Sequence, residues 1–280
     1  MKKNYSNLFA AVCGLAILCS CSKDVMNLSE TTDEGRLTVL TRTGEGTVIA
    51  MPVKLYVFNA GDECVAAETT SEESGTFSVI LPVGTYSVYA IGGADESRMV
   101  LPPKETATKT SPISLKTGQS LGDLMAGNSN VTVAPSGGNT VALTLERKVC
   151  LLTEVTIKNV PTTAGSVSVS ISPFYESILL DGTNNGTGGS CTFSLTKQSD
   201  GTTWKCQDET YQLPSVGNPT ITITIDGNSF TYTGEQPLTA NHKISIEGTY
   251  VNSSITLNGT IIGVEWEEPE TITFTFDNSN

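Results

Sequence analysis

Apolar and polar residues alternate along most of this chain, and a period of two is typical of strands that bury one face. The pattern is clear at Leu37 and Val39, and again at Val167, Val169 and Ile171. Further predicted strands cover residues 53–58, 76–81, 85–91, 140–145 and 149–160. After the N-terminal segment, helical spacing is absent, and residues 121–125 are the one candidate for a short helical turn. The pattern therefore predicts an all-β fold of sandwiches or open barrels.

Turn residues separate these strands and locate one domain junction. Pro82-Val83-Gly84 divides two strands, and Asp226-Gly227 and Asn258-Gly259 each predict a tight hairpin, because both dipeptides tolerate positive φ angles. A polar stretch around Pro135 precedes the strand that leads to Glu146-Arg147-Lys148. We place the junction near Arg147, which predicts an N-terminal domain over residues 35–147 and a C-terminal domain over residues 148–280.

The N-terminus resembles that of a bacterial lipoprotein. Two lysines precede an apolar run over residues 8–18, which is too short to span a bilayer and has the layout of a signal peptide. The run ends in Leu18-Cys19-Ser20-Cys21, and its resemblance to a lipobox implies cleavage after Ser20 and lipidation of the Cys21 sulfur. Residues 1–20 are then the signal peptide and residues 21–34 a lipidated, flexible tether. An ordinary signal peptide cut elsewhere is the alternative.

The residues after Cys21 indicate where in the cell the protein is located. Ser22, Lys23 and Asp24 resemble an export tag that carries lipoproteins to the outer leaflet, although a plain polar tether would have a similar composition. The resemblance predicts a surface-exposed protein of the bacterial outer membrane. The formal net charge of −13 repels phosphate backbones and anionic lipid headgroups, so we expect no nucleic-acid partner and a membrane link through the lipid alone.

Four cysteines lie beyond the lipobox: Cys64, Cys150, Cys191 and Cys206. An even number permits disulfides in an exported protein, and Cys191 with Cys206 has a local argument because both flank the turn at Asp200-Gly201. Buried thiols that act as small apolar side chains are the other interpretation. The sequence has no Cys-x-x-Cys and a single histidine, so it predicts no metal site.

The sequence gives little support for an enzymatic function. His242 lies beside a predicted strand with no nucleophile motif nearby, and Glu265, Glu267, Glu268 and Glu270 are typical of a solvated acidic rim. The glycines between residues 182 and 189 lack the lysine of a phosphate-binding loop. We therefore predict no catalytic residues, no cofactor and no enzyme. Trp204 and Trp266 either close the ends of sandwiches or stack on sugars, and the second alternative would make the chain a non-catalytic polysaccharide-binding module.

Several short motifs together resemble the fimbrillin superfamily. They are Leu81-Pro82-Val83-Gly84-Thr85-Tyr86, Asp123-Leu124-Met125-Ala126-Gly127, Leu145-Glu146-Arg147 with Val155 to Pro161, Pro237-Leu238-Thr239-Ala240-Asn241 with Ile246-Glu247-Gly248, and Leu257-Asn258-Gly259 with Val264-Glu265-Trp266. Each motif is loose, but their order along most of the chain and the lipobox make the likeness more specific. Among the members, the chain most resembles the fimbrillin-associated anchor and minor-subunit lipoproteins.

The resemblance implies two transthyretin-like β-sandwich domains and a role in a type V adhesive pilus. In this family, shaft subunits are cut after an arginine and lose their first strand, and a strand from a neighbouring subunit fills the groove, whereas anchor members stay uncut. Here the matching bond is Arg42–Thr43, and the candidate donor strand carries Ile272, Phe274 and Phe276 on one face, unless it pairs within its own domain. The implied partners are other pilus subunits, the outer membrane through Cys21, and a host or glycan ligand. The anchor, shaft and tip roles all stay open.

Overall fold

The structure is a computed structural model that describes residues 33–44, 47–135, 138–251, 254–256, 260–265 and 272–273. The described residues form strands, turns and one 3-10 helix, Lys104–Thr106, and they include no helix long and apolar enough to cross a membrane. The all-β prediction is confirmed. The predictions for Ser20, Cys21, Ser22, Lys23 and Asp24 lie outside the described residues.

The strands are numbered in chain order. In the first half they are β1 Glu34–Arg42, β2 Val53–Phe58, β3 Cys64–Thr70, β4 Thr76–Pro82, β5 Gly84–Gly92, β6 Met99–Val100, β7 Pro112–Leu115, β8 Met125–Val133, β9 Asn139–Thr144 and β10 Glu146–Arg147. In the second half they are β11 Cys150–Lys158, β12 Val167–Phe174, β13 Ser177–Leu179, β14 Asn184–Asn185, β15 Gly189–Ser194, β16 Thr196–Lys197, β17 Trp204–Cys206, β18 Thr210–Gln212, β19 Ser215–Ile225, β20 Asn228–Thr233, β21 His242–Val251, β22 Ser254–Thr256, β23 Thr260–Glu265 and β24 Ile272–Thr273.

Two sheets build the first half. One has three strands in the order β4-β1-β9, and the other has five in the order β10-β8-β5-β2-β3. Alternate residues of both sheets meet in one apolar cluster, with Leu37 and Val39 from β1, Leu55 and Val57 from β2, and Val88 from β5. Burial of these inward positions is the driving force that the alternating pattern predicts.

Two further sheets build the second half. The larger runs in the order β16-β17-β11-β21-β23-β24, with β18 and β22 also attached, and the smaller is β15-β12-β19-β20. Their shared core includes Ile157, Val169, Ile171, Ile223 and Ile246. Asp226 (φ 45°) and Gly227 (φ 85°) turn the β19–β20 hairpin, so the Asp-Gly hairpin prediction is confirmed.

A fifth sheet connects the halves. It has the order β14-β13-β7-β6, so β13 from the second half pairs antiparallel with β7 from the first. A third apolar cluster surrounds it and includes Tyr56, Phe58, Ile113, Ile178 and Leu213. The described residues from Asp33 onward accordingly form one compact unit. The division into domains at residues 147 and 148 stays a prediction.

Two local predictions are wrong. Residues 121–124 are not helical, and Met125 begins β8. Asn258-Gly259 lies outside the described residues, but the flanking strands β22 and β23 both run antiparallel to β21 and therefore share one direction, so the predicted pairing of these two strands in a hairpin is wrong. Instead, β22 pairs antiparallel with β21, with Ser254 opposite Val251.

Candidate assembly site

Strand β1 is hydrogen-bonded on both of its edges. It pairs antiparallel with β4 from Glu34↔Pro82 to Leu40↔Thr76, and parallel with β9 from Leu37↔Asn139 to Arg42↔Thr144. The segment nearest the predicted tether is therefore the middle strand of its sheet. Without β1, β4 and β9 would each lose their ladder partner.

The inward face of β1 is fully enclosed. Leu37 and Val39 are 0% exposed, and they contact a core that β4 and β9 also supply, through Phe77, Val79 and Leu143 among others. Burial of one such aliphatic side chain contributes about 1.5–3 kcal/mol. Loss of β1 would leave a groove with an apolar floor, flanked by the unpaired backbone edges of β4 and β9.

Gly35 lies where β1 enters the sheet, and the backbone is too close there for any side chain. A Cβ atom at this position would meet the Ala134 carbonyl oxygen at 2.3 Å and the Val133 Cγ1 at 2.6 Å. The sequence analysis missed this residue, although a glycine inside a strand pattern is a recognised signal of close backbone approach.

Arg42 ends β1 and is exposed. Its Nε donates to the Thr144 hydroxyl at 3.2 Å, and its carbonyl accepts from the Leu145 N–H at 2.7 Å. One residue earlier, buried Thr41 donates from its hydroxyl to the Gly75 carbonyl at 2.8 Å. The Arg42–Thr43 bond is therefore at the surface, but its carbonyl belongs to the ladder, so a protease needs this strand end to open.

A cleft of about 520 Å³ lies beside the chain segment that follows β1. Residues 47–51 form one wall, and Asp123, Arg147 and Tyr211 line another. Arg147, whose side chain is 7% exposed, donates from Nε and Nη2 to the two Asp123 carboxylate oxygens at 2.7 and 2.8 Å. Its Nη1 donates to the Asn241 Oδ1 at 3.0 Å. Through these contacts Arg147 links β10 to Asp123, which precedes the predicted junction, and to Asn241, which follows it. The sequence analysis did not detect this link.

The C-terminal strand is described only in part. Thr273 pairs with Thr260 and Ile272 with Ile261, both antiparallel, so this end of the strand lies beside β23 of its own chain. The side chain of Ile272 and all of Phe274 and Phe276 lie outside the described residues, as does Trp266. The donor-strand assignment stays a prediction.

The other sequence candidates occupy structural positions. Trp204 is 5% exposed within the second-half core, and the Lys197 ammonium lies 5.4 Å from its ring centroid, so Trp204 plugs the sandwich and does not stack on sugars. His242 begins β21, and its Nδ1 is 2.9 Å from both the Thr239 hydroxyl and the Ala240 carbonyl in the preceding segment.

The four cysteines are all free thiols, so the Cys191–Cys206 disulfide is not formed. Cys64, Cys150 and Cys191 are buried, whereas Cys206 is half-buried. Burial raises the pKa of Cys150 to about 12 and, together with the nearby Cys206, that of Cys191 to about 11. Because the thiolate is the reactive form, the thiols of Cys150 and Cys191 are poor nucleophiles.

The comparisons with known proteins identify a family. The family described as Fimbrillin-A associated anchor proteins Mfa1 and Mfa2 matches residues 45–271. The chain therefore belongs to the fimbrillin-associated anchor proteins. No curated protein matches the chain in sequence.

Solved structures share the fold at low sequence identity. The fimbrial anchor protein Mfa2 from Porphyromonas gingivalis aligns with a TM-score of 0.58 and 13% identity over 86% of this chain and 99% of that one. A candidate adhesin from Bacteroides ovatus aligns with a TM-score of 0.59 and 13% identity over 85% and 94%. A candidate polysaccharide-binding protein from Bacteroides thetaiotaomicron aligns with a TM-score of 0.59 and 17% identity over 85% and 98%.

The close contact at Gly35 gives a direct test of how tightly β1 is seated. We predict that Gly35→Ala lowers the free energy of unfolding by about 1–3 kcal/mol, because the Ala134 carbonyl must move. Gly44→Ala is the matched control, since nothing lies within 4 Å of its Cβ position. Thermal or urea unfolding measures both. Equal stability of the two variants would contradict the proposed seating of β1.

Proposed function

We propose that this protein is a surface-exposed, lipid-anchored subunit of an adhesive pilus at the bacterial outer membrane, and that it joins other subunits by exchange of β-strands. Membership of the fimbrillin-associated anchor family supports the pilus role. The observation that carries the assembly mechanism is the position of β1, which fills a complete strand site between β4 and β9.

Strand exchange suits this site for physical reasons. A replacement strand would recover the backbone hydrogen bonds of both neighbouring strands, which supply affinity without regard to sequence. Its alternate side chains would refill the space of Leu37 and Val39, which supplies specificity. A strand with apolar residues at every second position meets both requirements, and residues 271–277 have that pattern, with Ile272, Phe274 and Phe276 in alternation.

The groove can be tested with peptides. In this experiment the full-length protein carries a site for a specific protease in place of residues 43–46. We predict that the cut protein binds a labelled peptide of residues 271–277, because β1 is then free to leave, and that the uncut protein does not. Fluorescence anisotropy measures binding. A peptide with Phe274→Asp is the matched control, since a carboxylate in the apolar groove is strongly unfavourable. Equal binding to cut and uncut protein would contradict exchange at β1.

Arg42 is the proposed processing site for the natural reaction. Its side chain is exposed, and Thr43 and Gly44 follow it outside β1. We predict that surface material contains chains that begin at Thr43, that Arg42→Gln abolishes them, and that Arg36→Gln, which changes another exposed arginine of β1, leaves them unchanged. Mass spectrometry of N-terminal peptides decides the result. Assembled pili that contain uncut chains alone would refute processing and favour the anchor role.

Cys21 is the proposed lipid attachment site. More than one acyl chain is needed for stable anchoring, and the lipobox chemistry would supply them on the sulfur and the new amino group of Cys21. We predict that Cys21→Ala removes fatty-acid label from the protein and either releases it from the membrane fraction or leaves it unprocessed. Cys64→Ala is the control, because its thiol is buried in the folded domain. Label retained by the Cys21→Ala protein would refute the assignment.

A further inference from the structure

The outer face of the sheet β15-β12-β19-β20 has an unusual composition. Inward residues of β12 and β19, such as Val169 and Ile223, belong to the core, so Ser168, Ser170 and Ser172 on β12 and Thr220, Thr222 and Thr224 on β19 face outward. The outward residues of β15 and β20 are also serines and threonines. We call this surface the hydroxyl face.

The strand register aligns these side chains in rows across the sheet. In the central row, Thr192 of β15 is opposite Ser170 of β12, which is opposite Thr222 of β19, which is opposite Thr231 of β20. Hydrogen bonds within the rows confirm the common orientation: the Thr192 hydroxyl donates to the Ser170 hydroxyl at 3.2 Å. In a neighbouring row, the Thr224 and Ser229 hydroxyl oxygens are 3.0 Å apart.

The rest of the same sandwich shows that this composition is not general. On the opposite sheet, Lys158 forms an ion pair with Glu247 at 2.7 Å, and Lys205 forms one with Glu154 at 3.1 Å. Natural proteins usually place charges on exposed sheet surfaces and edges. The hydroxyl face has none, although the whole chain carries a net charge of −13.

We propose that the hydroxyl face binds a neutral polysaccharide. Each serine or threonine hydroxyl both donates and accepts hydrogen bonds, as sugar hydroxyls do. The hydroxyl face offers no cation to pair with an anionic glycan and no carboxylate to bind a metal ion. A charged partner would therefore leave its charges unpaired here, whereas an uncharged partner would not. The proposal goes beyond the pilus role and does not depend on it.

The size of the face favours this partner over a second copy of the chain. Strands lie about 4.8 Å apart and alternate residues about 7 Å apart, so the hydroxyl face covers on the order of 400 Å². A stable pairwise protein interface needs about 800 Å² from each partner. Two chains of the same net charge would also repel each other. A small polar surface suits weak binding to a polymer. Many copies of the protein on one cell can bind the same polymer together and so reach high avidity.

The test uses full-length protein in a detergent that contains no sugar, run through native gels that hold amylopectin, laminarin, galactomannan or dextran. We expect at least one of these neutral polysaccharides to retard the protein, and anionic polygalacturonate not to. Thr222→Glu should weaken the retardation about tenfold, since it replaces a hydroxyl in the central row by an unpaired carboxylate. Thr222→Ser, which keeps the hydroxyl, should retain it.

Thr140→Glu is the matched control, because it places the same charge on an exposed strand position of the other sandwich. Circular dichroism of each variant verifies the fold. No retardation in any neutral gel, or equal retardation of Thr222→Glu and Thr140→Glu, would overturn the proposal. Self-association in sedimentation that Thr222→Glu abolishes would assign the face to a second copy instead, and would also overturn it.

Discussion

Strand β1 fills the space between β4 and β9, and the first-half core depends on it for closure. Two ladders of backbone hydrogen bonds hold it at its edges, and the burial of Leu37 and Val39 holds its inner face. Neither contribution is large per residue, since one net hydrogen bond contributes only about 1 kcal/mol. Their sum over a whole strand is substantial, and the same sum would be available to any other strand of matching pattern. Stability and the proposed exchange of strands would therefore depend on one set of contacts.

Much of this fold follows from local sequence. The alternating pattern predicted the position of β2 and, within one or two residues, those of β4, β5, β9 and β11, because each strand buries at least one face. Asp226-Gly227 predicted its hairpin because both residues take positive φ angles there. The hairpin prediction at Asn258-Gly259 was wrong, since a turn signal does not determine whether the flanking strands pair with each other or with a shared third strand. Here β22 and β23 lie along β21 in the same direction.

The features that the sequence analysis missed depend on contacts between distant residues. The pairing of β7 with β13 joins residues 112–114 to residues 177–179, and neither strand is long enough to show a period. The bidentate contact of Arg147 with Asp123 looks like two ordinary charges in the sequence. The hydroxyl face is present in the sequence as alternating serines and threonines, but its rows exist only in the register of four strands. Long-range register of this kind is not encoded in the period of any single strand.

The arrangement of the apolar clusters explains how the protein could lose β1 and remain folded. All β1 residues in the three apolar clusters belong to the first-half core. None lies in the second-half core or in the connecting cluster, which is the third cluster and surrounds the sheet β14-β13-β7-β6. The connecting cluster draws on the far faces of β2 and β5 through Tyr56, Phe58 and Ile91, so these strands stay fixed to the second half when their near faces are uncovered. The cost of removing β1 would then fall on the groove itself. An open groove on an otherwise stable body is the state that a donated strand requires, because the binding energy is not spent on refolding the rest of the subunit.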